Sequence, residues 1–350
     1  MCCNSITGYE TGAKSGIDSK SYLKVFVMNS KYGRHLGLRL FLAPAAMFGF
    51  GLSACGAPPT SEEAASQPEV HTLADLDDIL ADPIKRSDMI VKVMGSTAEE
   101  DTYAFLKFHV YGYAGENVIP FFTMNNVIVQ KWTPLEPGYY ALRHYEVAYY
   151  SEFDSPTPIE TWENPITGEV VDVPHFILGP IAREYTPDGI IAPGIAPNPL
   201  NISVIGDRVF IPTASTDKVF NPMSTPDWGE YAGDPDIYWD SMLTYSADIE
   251  DVLNPDVSSA GAEIHMQNLV SWNSFFKMGT RPGRTMVRAF GTHLDSLDDI
   301  PPEARAGLKK YTPEIFNTDE WQDVRIDAVE FMIDIRSKID SGEIVVEAAE

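Results

Sequence analysis

Alternation of apolar and polar side chains with a period of two dominates the chain from about residue 102 onward. Residues 103–113 show it most clearly, with Ala104, Leu106, Phe108 and Val110 on one face. Successive side chains of a β-strand point to opposite faces, so this pattern predicts a strand. The same reasoning predicts further strands at 121–132, 139–153, 201–210, 236–247, 263–276 and 284–294.

Three segments have apolar residues at helical spacing instead, and they predict short helices at 73–80, 301–308 and 326–339. Residues 185–200 hold four prolines and predict a long irregular loop. Many short strands with few helices predict a mainly β fold, with a single antiparallel β-barrel-like or sandwich domain and short flanking helices.

The segment Trp162–His175 predicts a β-hairpin. Asn164 can cap the turn with its side chain, Pro165 presets φ at the first turn position, and Gly168 can adopt the left-handed conformation. In the outgoing arm, Val171, Val173 and His175 share a face, which places His175 on the more apolar side. This histidine either faces a cavity or is half-buried and bonded to a backbone carbonyl.

An apolar run of 15 residues at 40–54 follows Lys31, Arg34 and Arg39 and ends beside Cys55. A basic stretch, a short apolar stretch and small residues are typical of a secretory signal. Small residues followed by cysteine resemble the bacterial lipobox. That resemblance implies lipidation of the Cys55 sulfur and cleavage before it, and two or three acyl chains anchor a protein stably.

Met28 would make a normal start for such a signal, so residues 1–27 are interpreted as an over-extended translation start. The predicted organisation is a start extension at 1–27, a signal peptide at 28–54, the lipidated cysteine with a flexible tether at 55–71, one β-rich domain at 72–340 and an acidic tail at 341–350. The net charge of −26 opposes binding to nucleic acid.

Three groups of residues resemble the bacterial family DUF1838. They are Trp162-x-Asn164-Pro165-x-Thr167-Gly168-Glu169 with Val173-x-His175, then Trp272 with Met278-Gly279-x-Arg281-Pro282-Gly283, and then Tyr311-x-Pro313-Glu314 with Trp321. The resemblance spans roughly residues 75–325. It implies a single domain, and it implies no mechanism, since the family brings no established activity.

Common catalytic signatures are absent from the sequence: it has no P-loop, no GxGxxG after a strand, no GxSxG elbow and no HExxH. Five histidines fall on five predicted strands or hairpin arms: His109, His144, His175, His265 and His293. Strands of one barrel can direct such side chains into a common interior.

Two kinds of site could result from these histidines. Three imidazoles could hold a divalent metal such as Zn²⁺, Fe²⁺ or Mn²⁺. Alternatively, one histidine could act as a general base beside Glu146, Glu169 or Tyr111. The spacing is not diagnostic, and scattered structural histidines are the third interpretation.

Two further features suggest ligand binding. Arg281, at the crown of a predicted turn, could bind a carboxylate or phosphate, or it could brace the turn through backbone carbonyls. Aromatic residues, Trp162 and Trp272 among them, could line a pocket or form core.

The sequence thus predicts a lipid-anchored protein of the bacterial envelope, facing the periplasm, with the outer membrane favoured over the inner one. We expect its domain to enclose a small, largely apolar molecule. Polar residues that interrupt the strand faces favour a lyase, isomerase or hydrolase using His/Tyr/Glu acid–base chemistry. The alternatives are a small-ligand carrier and an interaction module of an envelope assembly.

Overall fold

A computed structural model describes residues 73–346 except 193, 194, 199, 222 and 225. The predicted start extension, signal peptide, Cys55 and tether lie outside the described residues, as do the last four residues of the acidic tail.

Strands make up most of the described domain. They are β1 (Asp101–Ala114), β2 (Asn117–Glu136), β3 (Tyr139–Ser151), β4 (Thr161–Glu163), β5 (Val170–Asp172), β6 (Phe176–Thr186), β7 (Gly189–Ala192), β8 (Ile195–Asn198), β9 (Ser203–Ile205), β10 (Arg208–Phe220), β11 (Asp236–Asp248), β12 (Glu263–Val270), β13 (Arg284–Leu294) and β14 (Arg325–Ile326).

The helices are short and flank the strands. They are α1 (Leu73–Ala81), α2 (Pro83–Met94), α3 (Ile249–Leu253), α4 (Pro302–Tyr311) and α5 (Asp327–Asp340). Short 3₁₀ segments lie at Pro226–Tyr231, Ser274–Phe276, Leu297–Asp299 and Pro313–Phe316.

One antiparallel sheet organises the fold. Its strand order is β8-β7-β6-β3-β2-β1-β13-β12-β11-β10-β9, with β14 paired to β6. The strands β4 and β5 form a separate hairpin. Because β1 pairs with β13, residues about 180 positions apart along the chain become neighbours, and the N- and C-terminal halves share one sheet.

This sheet is strongly curled. Six strand spacings separate β6 from β11, or about 28 Å in a flat sheet. Nevertheless Tyr185 on β6 and Arg183 beside it influence the pKa of Tyr245 on β11. The two strands therefore approach each other across the concave side, and the sheet is a half-barrel with β8 and β9 as its edges.

Apolar side chains close the two ends of the concave side. At one end α2 buries Met89 and Val93 and contacts β3, β6 and β11. At the other end the β4–β5 hairpin packs against Phe276, where the Asn164 side chain donates to the Phe276 carbonyl at 2.7 Å. We call the concave side between these two ends, across the middle strands, the groove.

Part of the convex face is covered by the C-terminal segment. Leu308 of α4, Ile315 and Trp321 pack over Val127 and Tyr145. The helix lies very close to the sheet, since a side chain at Gly307 would come within 2.5 Å of the Tyr149 ring. Because of this cover, side chains on both faces of the covered strands are buried.

The mainly β, barrel-like prediction is confirmed, and so is the turn of the hairpin. Gly168 has φ of +77°, and the Asn164 side chain accepts from the Ile166 backbone N–H at 2.9 Å. The loop prediction for 185–200 is wrong, because this stretch holds β7 and β8 at the sheet edge. Pro197 is tolerated in β8 because an edge strand leaves half its N–H groups without strand partners.

Replacement of Leu308 by alanine tests the cover over the convex face. Leu308 is fully buried, so we expect Leu308→Ala to lower the free energy of unfolding by about 2–5 kcal/mol. The control Lys309→Ala, on the exposed side of α4, should cost less than about 0.5 kcal/mol. Urea unfolding of both variants measures the difference, and equal small losses would contradict the packing of α4.

Candidate functional site

A row of polar side chains crosses the groove. The strand register pairs Gln130 with His144 and Ile128 with Glu146, and Asn126 follows Ile128 on the same face. Gln130, His144 and Asn126 are buried among apolar residues. Polar groups in such surroundings are stable only with hydrogen-bond partners, so the row needs its own partners.

The row forms a continuous hydrogen-bonded chain. The Gln130 amide nitrogen lies 3.4 Å from His144 Nδ1, and His144 Nε2 lies 3.2 Å from Glu146 Oε2. Asn126 Nδ2 donates to Glu146 Oε1 at 2.8 Å. Both carboxylate oxygens of Glu146 are therefore held in place.

The donors in this chain all point toward Glu146. With the Gln130 amide nitrogen donating to Nδ1, the ring proton of neutral His144 lies on Nε2 and is donated to the carboxylate. Each carboxylate oxygen keeps further lone pairs, and the Glu146 side chain retains 16% of its exposure. Glu146 is thus the member of the row that can accept a proton from a bound molecule.

Further polar groups reach the same groove from both sides of the half-barrel. Burial raises the pKa of Tyr245 far above its usual value, Tyr185 and Glu146 raise it further, and Arg183 lowers it. Burial also raises the pKa of Tyr185, and the adjacent Arg183 opposes this. A phenol in this setting stays protonated and can donate a hydrogen bond.

Half-buried apolar side chains share the concave face with the polar row. They pack against the core, and they are Met124, Ile128, Phe176, Leu243 and Met266. A groove with few polar groups and an apolar wall is typical of sites for small, largely apolar molecules.

His293 of β13 completes the concave face. The register pairs it with Ala104. Its Nδ1 atom is buried without a hydrogen-bond partner, and burial lowers its pKa from 6.5 to about 4. The ring centroids of His293 and Tyr245 are 6.4 Å apart.

His109 and Tyr111 lie on the opposite, convex face. His109 Nε2 is 3.4 Å from Asp154 Oδ1, and its ring is 5.4 Å from the Phe153 ring. Tyr111 contacts the same phenylalanine at 5.3 Å. The thickness of the sheet separates both residues from His144 and Glu146.

His175 lies outside the groove, between the hairpin and α4. Its Nδ1 accepts the Tyr150 backbone N–H at 3.1 Å, and its ring is 4.2 Å from that of Tyr311. Burial lowers its pKa to about 4, although Glu160 acts in the opposite direction. The ring is half-buried as one interpretation expected, but its partner is a backbone N–H rather than a carbonyl.

The prediction that five histidines share an interior is corrected by this geometry. His265 is exposed on the convex face of β12, so only His144 and His293 point into the concave side. Strand parity explains the split, since residues an odd number of positions apart face opposite ways. The described residues contain no group of three or more His, Cys, Asp or Glu side chains arranged to hold a metal ion.

Arg281, Trp162 and Trp272 belong to the hairpin end of the domain. Arg281 Nη1 donates to the Met278 carbonyl at 3.2 Å, as expected for an arginine that braces the turn through a backbone carbonyl. Trp162 packs 4.7 Å from Phe121, and Trp272 donates to the Arg281 carbonyl at 3.1 Å. In this arrangement they close one end of the groove and do not line its polar row.

Sequence reasoning identified His144 and Glu146 but missed the other members of the groove: Asn126, Gln130, Arg183 and Tyr245. The available signal was alternation, because Asn126 and Gln130 interrupt an apolar strand at positions of equal parity. For Arg183 and Tyr245 no such local signal exists.

The family model for "Protein of unknown function (DUF1838)" matches residues 105–329, more than half of the chain. The chain belongs to this family, as its motifs predicted. No curated protein matches the chain. Within the described residues, no helix is both long and apolar enough to cross a membrane.

The low pKa of His293 predicts acid sensitivity. Below pH 6.5 the unfolded chain binds a proton that the folded chain accepts only near pH 4, so stability falls as the pH drops through this range. Between pH 7 and pH 5 we expect wild type to lose about 2 kcal/mol more than His293→Gln. The control His265→Gln, at an exposed site, should lose as much as wild type. Urea unfolding at both pH values measures this, and equal losses in all three proteins would refute it.

Proposed function

We propose that the groove binds a small, largely apolar, neutral molecule and transfers a proton on it, with Glu146 as the base. The observation that carries this proposal is the His144–Glu146 hydrogen bond of 3.2 Å, on a face that it shares with apolar side chains such as Ile128. A purely structural pair of this kind would gain little stability, because burying a charged group is costly.

The roles follow from the direction of the hydrogen bonds. Glu146 takes the proton from the bound molecule and later returns it, as a general base and then acid. His144 and Asn126 fix the orientation of its carboxylate and stabilise its charge. Gln130 holds the His144 ring in the tautomer that donates to Glu146. His144 is therefore a positioning residue in this proposal.

Reactions compatible with these groups are isomerisation, elimination and hydrolysis of a neutral carbonyl compound. Each begins with proton abstraction from carbon or water by a carboxylate. Tyr245 supplies a protonated phenol near Glu146. This phenol can donate a hydrogen bond to an oxyanion that develops during the reaction.

The proposed location is the bacterial envelope, with the domain anchored through lipidated Cys55. The basic stretch, the apolar run at 40–54 and the small residues before Cys55 support this. A lipid anchor would hold the domain beside a membrane, where small apolar molecules accumulate.

The second candidate function is to bind and carry a small molecule without a chemical reaction. It is favoured by one observation: His144 and Asn126 already hold the two carboxylate oxygens of Glu146, and Gln130 holds His144, as in a rigid wall. A carrier and an enzyme differ in whether Glu146 changes the bound molecule.

Proton exchange on neutral ketones and hydrolysis of neutral esters test the enzymatic proposal. Proton NMR in D₂O would follow both reactions over a panel of compounds with residues 72–350 of the chain. We expect wild type to accelerate exchange or hydrolysis of at least one compound. Glu146→Gln should reduce that rate by about 10²–10⁴, because an amide accepts no proton under these conditions.

The matched control is Glu263→Gln, an exposed carboxylate on the convex face of β12, which should leave the rate unchanged. Full activity in Glu146→Gln would refute the assignment of the base. Wild type that leaves every compound unaltered would contradict the enzymatic proposal and favour carriage.

A further inference from the structure

A small pocket opens beside the polar row, between Gln130 and the opposite strands. Thr102, Ile128, Gln130, Tyr245, Ile264 and His293 are among its lining residues. It has room for a group about the size of a water molecule. A single oxygen-bearing group of a ligand therefore fits, whereas an aromatic ring does not.

One polar group at this pocket lacks a partner. His293 Nδ1 is buried without any hydrogen bond. Tyr245, which is 6% exposed, lines the same pocket. Buried polar atoms are nearly always paired in native proteins, so the unpaired His293 nitrogen indicates a place where another molecule binds.

The lining also defines the charge of that molecule. None of the side chains around the pocket is charged, since burial keeps Tyr245 protonated and His293 neutral. A carboxylate or phosphate would lose its water there and meet no cation among the lining side chains, while Glu146 opposes the nearby Arg183. A neutral oxygen that accepts a hydrogen bond from the Tyr245 hydroxyl meets no such cost.

We propose that this pocket binds the neutral carbonyl oxygen of a small molecule whose apolar part lies against Leu243 and Met266 in the groove. The inference rests on the proposed binding function, but it does not require catalysis. Leu243 is two residues from Tyr245 on β11, and the two share a face, so one ligand can contact both.

Paired titrations with acetophenone and ethylbenzene test this subsite. The two probes have similar shapes, and only acetophenone carries a carbonyl oxygen. NMR titration of residues 72–350 would give the dissociation constant of each. We expect Tyr245→Phe to weaken acetophenone about 3–10-fold and to leave ethylbenzene unchanged, the effect of losing one neutral hydrogen bond.

Two control variants separate the possible failures. Tyr238→Phe removes a hydroxyl from the same strand at a more exposed position and should change neither constant. Leu243→Asp should weaken both probes, since both rest on the groove wall, whereas Met242→Asp on the convex face should not.

The outcomes are distinct. Equal effects of Tyr245→Phe on the two probes would overturn the carbonyl subsite while leaving the groove as a binding site. If wild type binds neither probe, or if Leu243→Asp leaves the binding of both probes unchanged, both the subsite and the proposed binding function are overturned. Selective loss of acetophenone supports the subsite whether or not any ketone is transformed.

Discussion

A carboxylate on the concave side of a half-barrel has to be held by hydrogen-bond donors, since burial takes away much of its water. Glu146 meets this constraint through His144 on one oxygen and Asn126 on the other. Gln130 in turn fixes His144. The three donors come from β2 and β3, so the site depends on the exact register of this one strand pair.

The curl of the sheet provides the second half of the site. A flat sheet would leave Tyr245 tens of ångströms from Glu146, and the groove would have one wall only. With β11 brought round opposite β6, the phenol and the carboxylate influence each other electrostatically. Apolar packing by α2 and by the hairpin closes the two ends of the concave side, and the proposed ligand site lies between them.

Local pattern predicted the long strands β1, β2, β3, β11, β12 and β13 and the hairpin turn, because alternation and turn chemistry act over a few residues, but it missed β6, β7 and β8. The pairing of His144 with Glu146 on one face also followed from parity alone. Parity could not predict which face of the sheet is concave. That depends on α4, which covers the other face and lies far along the chain. For the same reason, sequence reasoning could not predict that His109 and His144 lie on opposite faces. It also could not predict that Tyr245 lies near Glu146.

Native mass spectrometry of residues 72–350, purified without detergent or chelator, tests the central claim most directly. If the groove is a site for a small neutral molecule, wild type should carry a co-purified organic mass that is released on unfolding and is absent from Leu243→Asp. A bare wild-type protein, or the same mass retained by Leu243→Asp and lost from Met242→Asp, would contradict the assignment of the concave groove as the binding site.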